Sequence, residues 1–162
     1  MILYTDGSYN KKISPHATAY AAVIVTDITE KEYIVDIIYG VNTDLEYVSM
    51  WNVGGEIWAV LTGIDYILNE YKENVIDIYF DYIGLGQWAL NKWKAKNTVT
   101  KAYQNYMNNK MNEAQISLNK VSGHSGILLN DIADRYANSG TTEYLKSGKT
   151  STLIKNIHIL RK

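Results

Sequence analysis

With 162 residues, 46% hydrophobic and 20% charged, the chain is long enough to build its own core, and no apolar stretch approaches the ~18 residues of a membrane span, so a soluble cytoplasmic protein is expected. The absence of cysteine excludes disulfides and thiolate metal sites, leaving oxygen ligands or the three histidines for any metal, which favours hard cations. A net charge of −1 conceals an uneven distribution: residues 1–81 hold 13 acids and 4 lysines, residues 82–162 hold 12 basic residues and 4 acids, which points to a polyanion met through the second half.

Ile2 to Tyr4 is a short apolar run that ends in Asp6 and at once in Gly7 and Ser8, the pattern of a buried strand closed by a turn. An acid in such a run either caps the turn or is paired or metal-bound, and Gly7 beside it lets another backbone approach closely. Asn10 to Pro15 reads as a turn. Ala17–Asp27 and Glu32–Val41 are rich in β-branched residues and joined by a short connection, so three successive strands predict an antiparallel meander. Asn42 to Asn52 reads as polar and irregular. From Asn52 to Lys72, Ile57, Val60, Leu61, Ile64, Ile67, Leu68 and Tyr71 recur at helical spacing. Asn52 is the expected cap of that helix, and Glu56 lies in its first turn, where an acid suits the helix dipole or a site.

Val75–Asp81 is a strand that again ends in an acid. A strand–helix–strand crossover of this length predicts a right-handed unit with this strand parallel to one already formed; placed beside the first, it sets Asp81 next to Asp6 at the carboxyl ends, where open α/β sheets bind ligands. Gly84–Ala95 is a predicted short helix carrying Trp88 and Trp93. Tyr82 to Asn112 contains no acid, only Lys92, Lys94, Lys96, Lys101 and Lys110, a solvated face or a polyanion contact. Thr98 or Thr100 is the expected cap of a helix to about Met111, and Gln115–Val121 alternates as a half-buried strand does. A loop with His124 between glycines leads to a helix from Leu128 to about Tyr144, on which Asp131 and Asp134 share a face. Lys146–Lys162 has no acid and five basic residues; it is either a tail or a terminal element packing through Leu153, Ile154, Ile157 and Ile159.

The motifs TDGS around Asp6, NVGGEIWA around Glu56, IYFD ending in Asp81, and GHSG…ND…AD…A from Gly123 to Ala137 follow one another as strand-D, helix-E, strand-D, loop-H, helix-D. In that order the chain, from Ile2 to about Asn138, resembles type 1 ribonuclease H of the retroviral-integrase-like superfamily. DYIGLGQWALNKWKAKN also resembles bacterial forms that often carry an N-terminal hybrid-binding domain, expected to be absent here because the chain opens at the catalytic strand. The connection from Asp6 to Glu56 is longer than in the best-known bacterial form, and the basic handle after Gly84 is shorter.

The resemblance implies an α/β, ribonuclease H-like fold: a five-stranded mixed sheet, three antiparallel strands then parallel ones, flanked by helices. The catalytic domain would span residues 1–145, with 146–162 as a basic C-terminal extension. It implies a monomeric endonuclease that hydrolyses the RNA strand of RNA–DNA hybrids, leaving 5′-phosphate and 3′-hydroxyl ends. Four mutually repelling carboxylates call for cations, and the family reading has Asp6, Glu56, Asp81 and Asp134 hold two Mg²⁺ ions ~4 Å apart, with Mn²⁺ as a substitute. Asp6 would bridge the pair, Glu56 and Asp81 would hold one ion, and Asp134 the other. His124 would shuttle protons. Gly7, Ser8, Asn52 and Gly55 are the candidates for reading 2′-hydroxyls. Trp88, Trp93, Lys94 and Lys96 are those for the DNA strand, unless Trp93 is simply core. Two other readings compete: a superfamily nuclease acting on DNA junctions, and a non-catalytic nucleic-acid-binding module.

Overall fold

The computed structural model describes residues 1–13, 16–123 and 126–162. The β-branched runs near its start form β1 (Ile2–Ser8), β2 (Thr18–Ile28) and β3 (Glu32–Asn42), the expected antiparallel meander, with Asp6 opposite Ala21. The stretch that reads as irregular holds a single helical turn, α1 (Leu45–Val48), capped by Asp44, whose Oδ1 accepts from the Glu46 amide at 2.9 Å.

The apolar stripe from Ile57 onward gives α2 (Asn52–Tyr66), prolonged by a π-helical turn over Ile67–Tyr71. Asn52 is the first residue of this helix rather than its cap. Trp51 holds the cap position, at φ 58° and ψ −133°, with no side-chain cap bond. β4 (Val75–Phe80) then runs parallel to an earlier strand, as the crossover predicts, and its partner is β1.

α3 (Gly84–Ala89) is shorter than its composition suggests, because Leu90 leaves helical geometry and Asn91 turns left-handed at φ 60°. Neither threonine caps α4 (Thr98–Glu113). Asn97 does, accepting from the Thr100 amide at 2.8 Å while Thr100 Oγ1 accepts from the Asn97 amide, a reciprocal box. β5 (Gln115–Lys120) pairs in parallel with β4, and α5 (Leu128–Ser147) follows.

The mixed sheet flanked by helices is as expected, but it has six strands among the described residues rather than five, in the order β5-β4-β1-β2-β3-β6. The sixth, β6 (Ser151–Leu160), lies antiparallel along the outer edge of β3. Its apolar residues break step: Ile154 and Ile157 pair with Ile37 and Val35 across a bulge, where Asn156 takes φ 57°. Inside that bulge Asp36 of β3 is fully buried. It accepts from the Tyr66 hydroxyl at 2.7 Å, the Asn156 amide at 3.0 Å, and the Tyr71 hydroxyl.

α2, α3 and α4 cover one face of the sheet, where Ile57, Ile64, Leu85 and Tyr103 pack with Leu3 and Ile78. α5 covers the other, with Ile132, Ala133 and Ala137 against Val23, Val35 and Ile37. Each fully buried Leu or Ile contributes about 1.5–3 kcal/mol, so both helical layers are fixed on β1, the strand that ends in Asp6. No helix among the described residues is long and apolar enough to cross a membrane.

Candidate metal centre

β1 and β4 run side by side with Ile2 opposite Asp77 and Tyr4 opposite Tyr79, and the same offset carried past the strand ends sets Asp81 beside Asp6. Glu56 comes from the start of α2, which presses onto the sheet where bulk is missing. A Cβ on Gly7 would run into the Asn52 carbonyl and the Glu56 amide, and one on Gly55 into the Ala19 carbonyl. The result is a tight cluster: one carboxylate oxygen from each of Asp6, Glu56 and Asp81 lies within 4.8 Å of the others. Asp6 and Glu56 are buried, Asp81 half-buried.

Asp134 approaches Asp6 from α5, on the other side of the sheet, close enough for its charge to act on the Asp6 carboxyl. Four residues along the helix, Asn138 Oδ1 accepts from Ser8 Oγ at 2.8 Å. Residues two apart on a strand and four apart on a helix advance by similar lengths. The Ser8–Asn138 bond therefore sets the helix in the register that holds Asp134 against Asp6.

Burial and then the Asp81 charge push the Asp6 carboxyl up to about 8; Asp134 adds to the rise, and the Gly7 amide, donating to Asp6 Oδ1 at 2.8 Å, opposes it. Burial likewise pushes Glu56 up to about 10, with Asp81 and then Asp6 adding to it. Glu56 Oε2 is buried and has no hydrogen-bond partner among the described residues. Such an orphaned oxygen costs ~1–3 kcal/mol unless something answers it. A divalent cation among these carboxylates would answer it and remove the mutual repulsion, and an all-oxygen donor set suits a hard ion. The residues present fit such an ion.

His124 and Ser125 lie outside the described residues. Gly123, the last described residue before them, abuts the cluster: a Cβ there would stand 3.4 Å from Asp81 Oδ2. Asp131 is half-buried in the first turn of α5 and is not one of the three clustered acids. Of the residues expected to read 2′-hydroxyls, Gly7 lies under the start of α2, Ser8 is bonded to Asn138, Asn52 is exposed, and Gly55 is buried against β2. Trp88 is nearly buried and meets Trp93 edge-on at 5.8 Å, whereas Trp93 is 39% exposed and so is not simply core. The two rings line a cavity of about 590 Å³ with Lys92, Lys94, Lys96, Asn97 and Thr100. Gln104 secures that loop, its Nε2 donating to the carbonyls of Trp88 at 2.9 Å and Trp93 at 3.2 Å.

Asn138 escaped the sequence reading, although its four-residue spacing from Asp134 on a helix was a usable signal. No curated protein matches the sequence. The family model described as RNase H matches residues 1–142. Among solved structures the chain is similar to RNase H1 of the halophilic archaeon Halobacterium salinarum, at 15% identity over 88% of this chain and 97% of that one, TM-score 0.63. It is also similar to the N-terminal RNase H domain of Rv2228c from Mycobacterium tuberculosis, at 16% identity over 91% and 97%, TM-score 0.67. A third is LC11-RNase H1, solved in complex with an RNA/DNA hybrid, at 14% identity over 89% and 98%, TM-score 0.66. With its acids gathered at the ends of β1, β4 and the start of α2, the chain belongs to the RNase H family and is a ribonuclease H enzyme.

Proposed function

We propose that this protein is a metal-dependent endonuclease that hydrolyses the RNA strand of RNA–DNA hybrids, leaving 5′-phosphate and 3′-hydroxyl ends. The observation that carries the reading is the convergence of Asp6, Glu56 and Asp81 within 4.8 Å, with Asp134 acting on Asp6 from the opposite helix. Asp6 would be shared between two cations, Glu56 and Asp81 completing one position and Asp134 the other. Bound Mg²⁺, or Mn²⁺ in its place, supplies an activated water and Lewis acidity for displacement at phosphorus. The chain's own part is to hold that charge in place. The Gly7 amide fixes Asp6 Oδ1, and the Ser8–Asn138 bond fixes the helix of Asp134. Asp6 and Glu56 give up protons as cations bind, because their carboxyls are held well above the ordinary range.

His124, next in sequence to Gly123, is assigned the transfer of protons through its imidazole nitrogens. Trp88, Trp93, Lys94 and Lys96 are assigned the DNA strand: the lysines neutralise phosphate and the exposed Trp93 ring meets sugars or bases. Asn52 and the backbone beside Gly7 and Gly55 are assigned the 2′-hydroxyls. All four acids come from one chain, so a monomer suffices.

The test is cleavage of an RNA–DNA hybrid in Mg²⁺ by the wild type and by Asp6→Asn. Loss of a ligand that stabilises transition-state charge is worth several kcal/mol, or about a thousandfold in rate. Duplex DNA cut as readily as hybrid would turn the reading toward a junction nuclease. Binding without cutting by the wild type, in either metal, would leave a non-catalytic module.

A further inference from the structure

Trp51 combines high exposure with a strained backbone. It is the most exposed of the four tryptophans, at 62%, and so contributes little burial. Yet its backbone stands at φ 58° and ψ −133°, a region that glycine enters readily and a bulky residue only under strain. The conformation is held from both sides. The Trp51 amide donates to the Val48 carbonyl at 3.0 Å, and the fully buried Thr18 hydroxyl donates to the Trp51 carbonyl at 2.6 Å. The consequence is an indole standing in solvent next to Asn52, whose carbonyl lies against Gly7, the neighbour of Asp6. Trp51 directly precedes α2, five residues before Glu56, and its ring lies 6.1 Å from that of Tyr9, three residues after Asp6. Lys11 and Lys12, two of the four lysines in the first half of the chain, follow at once and are exposed.

We propose that Trp51, backed by Tyr9, packs against the ribose faces of the RNA strand beside the scissile phosphate and seats that strand over the acids. The proposal rests on the hybrid-cleaving reading of the site and names a substrate contact for it. A hybrid keeps its bases stacked and offers a wide, shallow minor groove lined by sugars and 2′-hydroxyls. A flat ring on a backbone that is already fixed meets such a surface with only two side-chain torsions left to order on binding. Lys11 and Lys12 supply positive charge for the flanking phosphates. The sequence carries no sign of this role, since the torsion that raises the ring is a product of the fold.

The experiment measures kcat and KM on an RNA–DNA hybrid in Mg²⁺ for the wild type, Trp51→Gly and Trp51→Phe, with thermal melts of all three. Trp51→Gly relieves the strained torsion while removing the ring, so its melting temperature is expected at or above that of the wild type. Its KM is expected to rise about tenfold with little change in kcat, the scale and the signature of one lost aromatic–nucleotide contact made equally in ground and transition states. Trp51→Phe keeps a ring in place and should restore most of the lost affinity. A Trp51→Gly enzyme with wild-type KM overturns the proposal, as does a Trp51→Phe enzyme as impaired as the glycine variant, which would assign the effect to the backbone. Failure of the wild type to cut hybrid at all is a different result: it removes the nuclease reading and this contact with it.

Discussion

Replacing Glu56 by Gln should make the metal-free protein more stable at neutral pH. The Glu56 carboxyl is pushed from an ordinary 4.5 to about 10 by burial beside Asp81 and Asp6. Its folded value exceeds its unfolded value, so the penalty is absent below pH 4.5 and grows as the pH rises toward 10. At pH 7 the folded protein must take up a proton that the unfolded chain has released. That costs about 3 kcal/mol at 1.36 kcal/mol per pH unit. Gln keeps the shape and removes the titration, which corresponds to a rise of about 5–10 °C in Tm for a chain of this size. Circular-dichroism melts in chelator at pH 4.5 and pH 7 would show the gain at the higher pH only. Millimolar Mg²⁺ should reverse the order, because the wild type gains binding free energy that Glu56→Gln largely loses. A variant that melts at or below the wild type at pH 7 in chelator would refute the reasoning, and so would a gain of equal size at both pH values.

Asn138→Ala removes the bond from Ser8 and with it the register of Asp134; metal affinity by calorimetry should fall ~10-fold or more, the range for lost supporting contacts, with only a small change in Tm. Asp36→Ala leaves the Tyr66 and Tyr71 hydroxyls and the Asn156 amide without their acceptor, so urea unfolding should report a loss of about 3 kcal/mol. Lys94→Ala with Lys96→Ala should weaken hybrid binding and flatten the plot of log affinity against log salt by about 1 per lysine.

The parts of the fold that carry the acids were legible because they rest on spacing. A helix of crossover length leads into the second of two strands that each end in an acid, and once that strand lies parallel beside the first, Asp81 falls next to Asp6. β6 was not legible for a local reason. The bulge at Lys155 and Asn156 breaks the two-residue alternation that marks a strand, and what remains reads equally well as a basic tail. The cap of α2 failed for another: Asn52 is the better capping residue by chemistry, but packing of the helix start against β1 and β2 places Trp51 there despite its cost. Trp93 was ambiguous because exposure of a tryptophan among lysines depends on where the preceding helix stops, and Asn91 stops it early.

The helix that presents Glu56 is gripped at both extremities. Near its beginning the grip is steric, through the small residues of β1 and of its own first turn. About 15 Å further along the axis it is polar, through Tyr66 and the Tyr71 that follows, both bound to Asp36, which also holds Asn156 of the final strand. The last stretch of polypeptide thus takes part in aiming a carboxylate that it never touches, and damage to the sheet's outer border should be felt as a loosening of the opposite end of the molecule's principal lever.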